Sequence, residues 1–449
     1  MSSDKIPPRI ELAIVLSLLL LGLGLRAHNL GVSPPFNETA DEMAWTWSGM
    51  SLLSEGTPRA WSHLPAYGNI PLTEWRGYTY PIVSPWLDHP PLYSLWVGAY
   101  ELLFDTQDPF SMDLFAARQS SLVLFVLTFF LAHQLFRRTL EPHTSLLALI
   151  ALVTLPLAVA SHRLVVSENL LTPIFLAIEL LLIRLAESEA PERPRLGLLV
   201  ILGAALVLTK LPALALVFAL GLSALIKRTV RGLFALSAGA TLGLSLALAW
   251  GYHFDPELFS RVLADHRARF SGFFGLQDLL FIPRIVEARI YHPVLALGVV
   301  AALVGTHRDK ARSFTLLTVG YAGAMTFFVD QREIHGWYLI PTLPILVGAA
   351  ARLIERSAKE GDRTCTAVLV LLSTPYLGQT LASLPAVPRE TLRMSLLGVT
   401  IILALLATYD GSTKSEKPNS AKPNKRAQAI GLGLVLLVFA TDTTLALLE

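Results

Sequence analysis

The stretch IELAIVLSLLLLGLGL, residues 10–25, decides the fold class of this chain. It holds a single charged residue, Glu11, and approaches the roughly 20 apolar residues that cross a bilayer. A second run of this kind, SLVLFVLTFFLAHQLF, occupies residues 121–136. Only 16% of the chain is charged, whereas soluble proteins carry about 25%. The pattern predicts an all-α, polytopic membrane protein, since helices satisfy their own backbone hydrogen bonds in lipid.

Such runs recur along the 449 residues and predict about thirteen transmembrane helices. The first run follows Lys5 and Arg9 and resembles a signal peptide. It lacks a clean cleavage site between small residues, and further spans follow it. We therefore interpret it as a retained signal-anchor helix. The predicted spans are 10–27, 114–136, 146–161, 169–185, 196–210, 212–226, 232–250, 291–306, 313–329, 337–353, 365–384, 391–408 and 428–447.

Basic residues set the predicted orientation, because cytoplasmic loops of membrane proteins are enriched in lysine and arginine. The motif TKLP at 209–212 predicts that segment 196–226 is a helical hairpin. A single helix there would place RTVR, residues 228–231, and every later basic loop outside. With the hairpin, the cytoplasmic connections contain Arg137, Arg138, Arg193, Arg195, Lys227, Arg228, Arg231, Arg308, Lys310, Arg312, Arg352, Arg356, Lys359, Arg363, Lys414, Lys417, Lys422, Lys425 and Arg426.

Two of the predicted outside segments are long, 28–113 and 251–290. The first is rich in Trp, Pro, Tyr and Gly, which suits amphipathic elements at the membrane surface. Residues 409–427 are polar and predict a flexible cytoplasmic linker before a last transmembrane helix at 428–449. The net charge of +2 gives no reason to expect a nucleic-acid partner, and the single cysteine, Cys365, excludes an internal disulfide.

Neighbouring carboxylates occur just outside the first span, in FNETADEMAWTWSGMSLL at 36–53. On a helix, Asp41 and Glu42 point apart, while Asp41 and Trp45 share a face. One carboxylate can therefore face a cavity while the other holds structure. The alternative is that both only stabilise the first turn of a helix through its dipole.

The stretch LDHPPLY at 87–93 interrupts the apolar pattern with Asp88, His89 and two prolines. A residue before proline favours extended backbone, and Pro91 suits the first turn of a following helix. The free amides of that helix terminus, together with His89, predict a site for a phosphate group. The alternative is a proline-rich turn that returns the chain to the membrane.

Two further outside segments carry ionisable residues. SHRLVVSENLLTP at 161–173 holds Arg163 and Glu168 in a short turn, where charges near lipid are costly unless paired or functional. A structural pair between these two residues is the alternative. DQREIHGWYLIP at 330–341 holds Arg332 and His335 as weaker candidates for anion binding. The adjacent aromatic pair, Trp337 and Tyr338, is more typical of a membrane-interface belt.

All four segments fall on the predicted outside face, and no span contains a carboxylate pair or a basic cluster. The sequence also lacks the glycine-rich, metal-protease and serine-hydrolase motifs of many soluble enzymes. This pattern favours a reaction at the membrane surface over a conduction path. A flippase or transporter for lipid-linked sugars is the first alternative, although transporters place such groups near the membrane centre. A non-catalytic scaffold that binds polyprenyl lipid is the second.

The motifs resemble those of GT-C type glycosyltransferases, in particular protein O-mannosyltransferases and the bacterial aminoarabinose transferases that modify lipid A. The acidic motif of the first loop corresponds to Asp41-Glu42 with Trp45, and the Pro-Pro-Leu motif to His89-Pro90-Pro91-Leu92. The Ser-Arg motif of the second loop corresponds to Ser161 and Arg163, with His162 inserted and Glu168 in place of the usual Asp. ARQSSLVLF at 117–125 and VLTKLPAL at 207–214 are similar to two further segments of these families.

This resemblance implies a GT-C transmembrane catalytic domain at 1–408 with a long first extracytoplasmic loop. It implies transfer of a sugar from a polyprenyl-phosphate donor to a lipid, glycan or protein acceptor, on the outer side of a bacterial inner membrane. Asp41 would act as general base, and Glu42 or Glu168 would organise cations or a divalent ion, Mg²⁺ or Mn²⁺, although no metal cage is visible. The expected donor-phosphate ligands are His89, Arg163, Lys210, Arg332 and His335.

The orientation is testable with reporter fusions. Fusions after residues 70 and 270 are expected to report outside, and fusions after 230, 310 and 420 inside, because the basic connections remain in the cytoplasm. The fusion after residue 230 is decisive for the hairpin, and an outside signal there would exclude it.

Overall fold

The computed structural model describes residues 7–36, 40–104, 108–188, 193–268, 284–285, 288–289, 292–304, 312–328 and 336–357, and scattered residues within 365–376 and 428–441. A 3-10 helix at Gly336–Thr342 leads directly into the α-helix at Leu343–Glu355, and most of the described residues lie in α-helices. They are α1 (Pro8–Ala27), α2 (Asp41–Glu55), α3 (Leu92–Leu102), α4 (Leu114–Thr139), α5 (Pro142–Thr154), α6 (Pro156–Ser161), α7 (Glu168–Glu187), α8 (Arg193–Thr209), α9 (Leu214–Ile226), α10 (Val230–Phe254), α11 (Pro256–Ala268), α12 (Pro293–Val304), α13 (Arg312–Phe328) and α14 (Leu343–Glu355).

Long apolar helices form the body of the protein and confirm the predicted polytopic helical membrane protein. Within the described residues, five helical segments are long and apolar enough to cross a bilayer: α1, α4, α7, α10 and Gly336–Glu355. They correspond to five of the predicted spans, and a large apolar core joins α4, α5, α7 and α9. The predicted span 391–408 and the linker 409–427 lie outside the described residues, so the number of thirteen spans stays a prediction.

The predicted span 146–161 is two helices, α5 and α6, because Pro156 interrupts it. Proline has no amide hydrogen, so the carbonyl of Leu152 loses its helical donor. Arg26, fully buried at the end of α1, donates to the carbonyls of Leu152 at 3.3 Å and Val153 at 3.0 Å instead. An arginine of the first helix thus closes the end of α5.

The break at TKLP is present, since α8 ends at Thr209 and α9 begins after a short 3-10 turn. Helices α8 and α10 pack closely, with Gly239 against the backbone of Val200 and Gly243 against that of Ala204. Both contacts advance in the same direction, so α8 and α10 are parallel. The intervening α9 therefore runs in the opposite direction to both, as the predicted hairpin requires.

The first long loop contains a small antiparallel sheet that the all-α prediction does not include. Its strands are β1 (Ala60–Trp61), β2 (Leu72–Trp75) and β3 (Tyr78–Val83), in the order β1-β3-β2. A two-residue turn joins β2 and β3, with positive φ at both Arg76 (49°) and Gly77 (81°). This is the turn type that matches the twist of paired strands. The strands are short, so they leave little periodic signal in the sequence.

The second long loop contributes α11, which packs on the first loop. The apolar side chains of Leu258 and Val262 meet Leu64 and Leu87 of the first loop. The carboxylate of Asp265 also accepts a hydrogen bond from the backbone amide of Ala66 at 2.6 Å. The first and second long loops therefore pack on each other.

The crossing of α2 and α3 depends on two glycines. A methyl group on Gly98 would meet the backbone of Gly49, and one on Gly49 would meet that of Ser94. The backbones approach closely only because both positions lack a side chain.

Gly98→Ala is expected to destabilise the protein by about 1–3 kcal/mol, because the added methyl group can be accommodated only by a backbone shift. Gly24→Ala is the matched control, since nothing lies within 4 Å of the position of its new methyl group. Thermal unfolding in detergent measures both. Equal melting temperatures of Gly98→Ala and Gly24→Ala would contradict the close approach of α2 and α3.

Candidate active site

The charged residues of the bundle gather at two opposite ends. At one end, which we call the basic end, Arg137 of α4 pairs with Glu11 of α1, and Arg138 pairs with Glu187 of α7 at 2.8 Å. At the other end, which we call the site end, α4 and α7 begin and α8 stops. The site end holds the described residues that the sequence motifs single out.

Glu42 and Arg118 form a buried ion pair at the site end. Nε and Nη2 of Arg118 donate to the two carboxylate oxygens of Glu42 at 3.0 and 2.8 Å. The backbone amide of Val165 donates to the same carboxylate at 2.8 Å. Arg118 also donates to the carbonyls of Leu30 at 2.9 Å and Pro34 at 2.8 Å. Glu42 thus connects α2, α4 and the turn before α7.

Asp41 differs from its neighbour Glu42 because its side chain is exposed. It is the first residue of α2, and its charge is close enough to raise the pKa of Lys210. Adjacent residues on a helix point apart, so one carboxylate is buried in structure while the other faces outward. Asp41 is therefore the more accessible of the two carboxylates.

Glu168 and Lys210 form a second buried ion pair, 2.7 Å between Oε1 and Nζ. The hydroxyl of Ser167 donates to the other oxygen of Glu168 at 3.1 Å. The ammonium of Lys210 also lies over the ring of Tyr338, 4.8 Å from its centre. Glu168, Lys210, Tyr338 and Tyr321 line one small cavity, about the size of a water molecule, whose remaining wall is apolar.

Lys210 stays protonated in this setting. Burial lowers the pKa of its ammonium, but the charges of Glu168 and Asp41 and the neighbouring Tyr338 raise it, and the net shift is above the ordinary lysine value. An ammonium has three donor hydrogens. Lys210 therefore remains a cation that can donate toward the cavity.

His89 lies on an aromatic platform. Its ring stacks on Trp45 with 4.7 Å between ring centres and 15° between planes, and His266 of α11 lies 5.7 Å away. The preceding residue, Asp88, accepts hydrogen bonds from Ser62 at 2.6 Å and Tyr67 at 2.7 Å. Trp45 is one turn beyond Asp41 on α2, so the stack brings His89 next to the helix that carries Asp41.

The helix bundle has relatives of known structure. ArnT from Cupriavidus metallidurans, in a crystal structure with undecaprenyl phosphate, superposes with a TM-score of 0.57 at 14% identity, covering 98% of this chain and 76% of ArnT. The arabinosyltransferase EmbB from Mycobacterium smegmatis superposes with a TM-score of 0.63 at 14% identity, covering all of this chain and 42% of EmbB.

The chain has the GT-C fold. The family model of dolichyl-phosphate-mannose-protein mannosyltransferases matches residues 88–253. This range includes the stretch DHPPL, Arg163, Glu168 and Lys210, and it begins after Asp41. No protein of curated function matches the sequence.

Three of the predicted phosphate ligands, Arg163, Arg332 and His335, are not among the described residues that line the cavity. Arg163 is buried and donates to the carbonyl of Leu25 at 2.7 Å, at the end of α1. The inserted His162 is buried beside it, and its Nδ1 donates to the carbonyl of Ala158 at 2.8 Å. Arg332 and His335 lie outside the described residues, so their roles stay predictions.

The candidate site includes residues to which the sequence patterns gave another role or none. Tyr338 is interpreted there as part of an interface belt, yet its ring contacts Lys210. Tyr321 is not singled out at all, and it donates a hydrogen bond to the carbonyl of Tyr338. Arg118 is noted only as part of a similar segment. Its position within a span was the available signal, because an arginine there requires a partner.

Glu42 and Glu168 are the carboxylates predicted to organise cations or a divalent ion. Both oxygens of each accept hydrogen bonds in the buried clusters described above. Among the residues that the structure describes, no group of three histidine, cysteine or acidic side chains could hold a metal. A divalent ion at these carboxylates stays a prediction.

Glu42→Gln is expected to destabilise the protein by roughly 3–5 kcal/mol, because it leaves the guanidinium of Arg118 buried without its counter-charge. Asp41→Asn, at the exposed neighbour, should change stability little. Melting temperatures in detergent compare the two variants. If Glu42→Gln has the same melting temperature as the wild type, the buried pair does not stabilise the contact between α2, α4 and the turn before α7.

Proposed function

We propose that this protein is a glycosyltransferase that moves a sugar from a polyprenyl-phosphate donor to an acceptor hydroxyl. The GT-C fold and the match to a mannosyltransferase family model support this class. One observation carries the assignment of residues. Of two adjacent carboxylates, Glu42 is buried in an ion pair, and Asp41 is exposed beside a buried, protonated Lys210.

Asp41 acts as the general base in this proposal. The acceptor oxygen attacks the anomeric carbon, the bond from that carbon to the phosphate oxygen breaks, and Asp41 takes the acceptor proton. The polyprenyl phosphate leaves with the bonding electrons. Because a phosphate monoester is already a stable leaving group, the site needs cations near it rather than an acid that protonates it.

Lys210 and His89 are the cations we assign to the phosphate. Lys210 lines the cavity at the site end, and Glu168 and Tyr338 fix the direction of its ammonium. His89 stacks on Trp45 near the start of α3, whose first amides are not used within the helix. Lysine binds phosphate as a point charge and does not itself define a direction of binding. A partner such as Glu168 therefore has to orient its ammonium group.

The remaining predicted residues support this arrangement. Glu42 holds the start of α2 and so positions Asp41. Arg163 ties the turn before α7 to the end of α1. We place the reaction on the outer side of a bacterial plasma membrane, because the basic end of the bundle is expected in the cytoplasm. The acceptor is a lipid, glycan or protein hydroxyl.

The decisive experiment incubates purified protein with radiolabelled polyprenyl-phosphate sugars and membrane acceptors. The wild type is expected to transfer label, and Asp41→Asn to lose transfer with an unchanged melting temperature, because only the base is removed. Glu55→Gln is the control, since it changes an exposed acid at the other end of α2.

The same experiment separates the alternatives. Donor binding without transfer by the wild type would indicate a scaffold, and movement of intact donor across proteoliposomes would indicate a flippase. Equal transfer by Asp41→Asn and the wild type would remove Asp41 from the mechanism.

A further inference from the structure

A third ion pair, partly buried and far from the cavity, joins Glu179 of α7 to Lys227 at the end of α9. Nζ of Lys227 lies 2.7 Å from Oε1 of Glu179, and the hydroxyl of Ser223 donates to Oε2 of Glu179 at 2.9 Å. Glu179 is fully buried in α7, a helix long enough to span the membrane. A buried charge at such a position is costly and calls for a function.

The two pairs have a regular geometry. Glu168 and Glu179 are eleven residues apart on α7, about three turns, so they lie on one face of the helix about 16 Å apart. Lys210 and Lys227 flank α9, one just before it and one just after it. Each lysine pairs with one glutamate, so an ion pair to α7 lies at each end of α9.

The lysines reach inward to make these pairs. Seventeen residues of helix would separate them by about 25 Å, which exceeds the distance between the glutamates by about 9 Å. The two flexible side chains cover this difference. A slide of α9 along α7 by one turn, about 5.4 Å, would break both pairs and leave charges buried without partners.

We propose that Glu179 and Lys227, with Ser223, are positioning residues that fix the register of α9 on α7 and thereby place the ammonium of Lys210 in the cavity. The inference rests on the proposed role of Lys210 in binding the donor phosphate. A buried ion pair adds little net stability compared with apolar side chains of similar volume, whereas it discriminates strongly against a shifted register. The pair therefore acts on the geometry of the site more than on the stability of the fold.

The test replaces the whole network by apolar residues, in the variant Glu179→Met, Lys227→Met, Ser223→Ala. Its melting temperature in detergent is expected to equal or exceed that of the wild type, because no buried polar group is left alone. The KM for the polyprenyl-phosphate donor should rise about tenfold, the loss of roughly one charge-assisted hydrogen bond to phosphate, with a smaller effect on kcat.

Two further variants distinguish positioning from general damage. Lys227→Arg keeps the charge and the reach, and it is expected to retain the donor KM of the wild type. Glu187→Gln is the matched control, because it breaks an exposed pair to α4 near the same end of α7. It should change neither the melting temperature nor the donor KM.

A readout independent of transfer measures the register directly. In a Cys365→Ala background, cysteines replace Leu171 and Leu216, which line one cavity on α7 and α9, and a short bifunctional thiol reagent links them. The apolar triple substitution should reduce the yield of this cross-link at least several-fold. If the wild type shows no transfer, the proposed function fails and the cross-link still decides the register.

Two results would overturn the inference. One is a lower melting temperature of the triple variant with an unchanged donor KM and cross-link, which would leave the pair a purely structural role. The other is a triple variant that matches the wild type in all three measurements.

Discussion

The buried pair between Arg118 and Glu42 joins segments that are distant in the sequence. Arg118 lies in the second turn of α4 and Glu42 in the first turn of α2, and the carbonyls of Leu30 and Pro34 belong to the chain that leaves α1. Val165 adds the turn before α7. Because these groups are out of contact with water, each must find its partner in the protein. The first outside loop can adopt its position only where all of these contacts are made together.

The same constraint recurs at the other buried carboxylates. Glu168 accepts from Lys210, 42 residues away, and Glu179 accepts from Lys227, 48 residues away. In a bundle whose helices are otherwise apolar, packing alone distinguishes poorly between neighbouring registers. Paired charges do so strongly, because an incorrect register leaves a charge in a medium of low dielectric constant. The frame of the candidate site follows from these pairs, and Asp41, next to Glu42 on α2, stays exposed at its edge.

Particular residues show how far prediction from the sequence extends. The limits of α1, α4, α7 and α10 follow from apolar runs, since lipid imposes both length and composition. The break at Lys210 follows from TKLP. The split at Pro156 was equally readable, but the role of Arg26 in closing α5 was not, because it joins residues 126 and 127 positions apart. The sheet of the first loop went unrecognised because its strands have only two, four and six residues, which leave little periodic signal.

The sequence by itself determined that this is a helical membrane protein, which residues begin and end its long helices, and which short segments carry acids and bases next to them. These are local properties, decided by the transfer of each segment from water to lipid. Only the tertiary structure decided that Glu42 is buried while Asp41 is exposed, that Lys210 takes Glu168 as its partner, and that Tyr338 covers Lys210. Those choices depend on which helices become neighbours, and the energy of a buried charge is set by the partner that the fold brings to it.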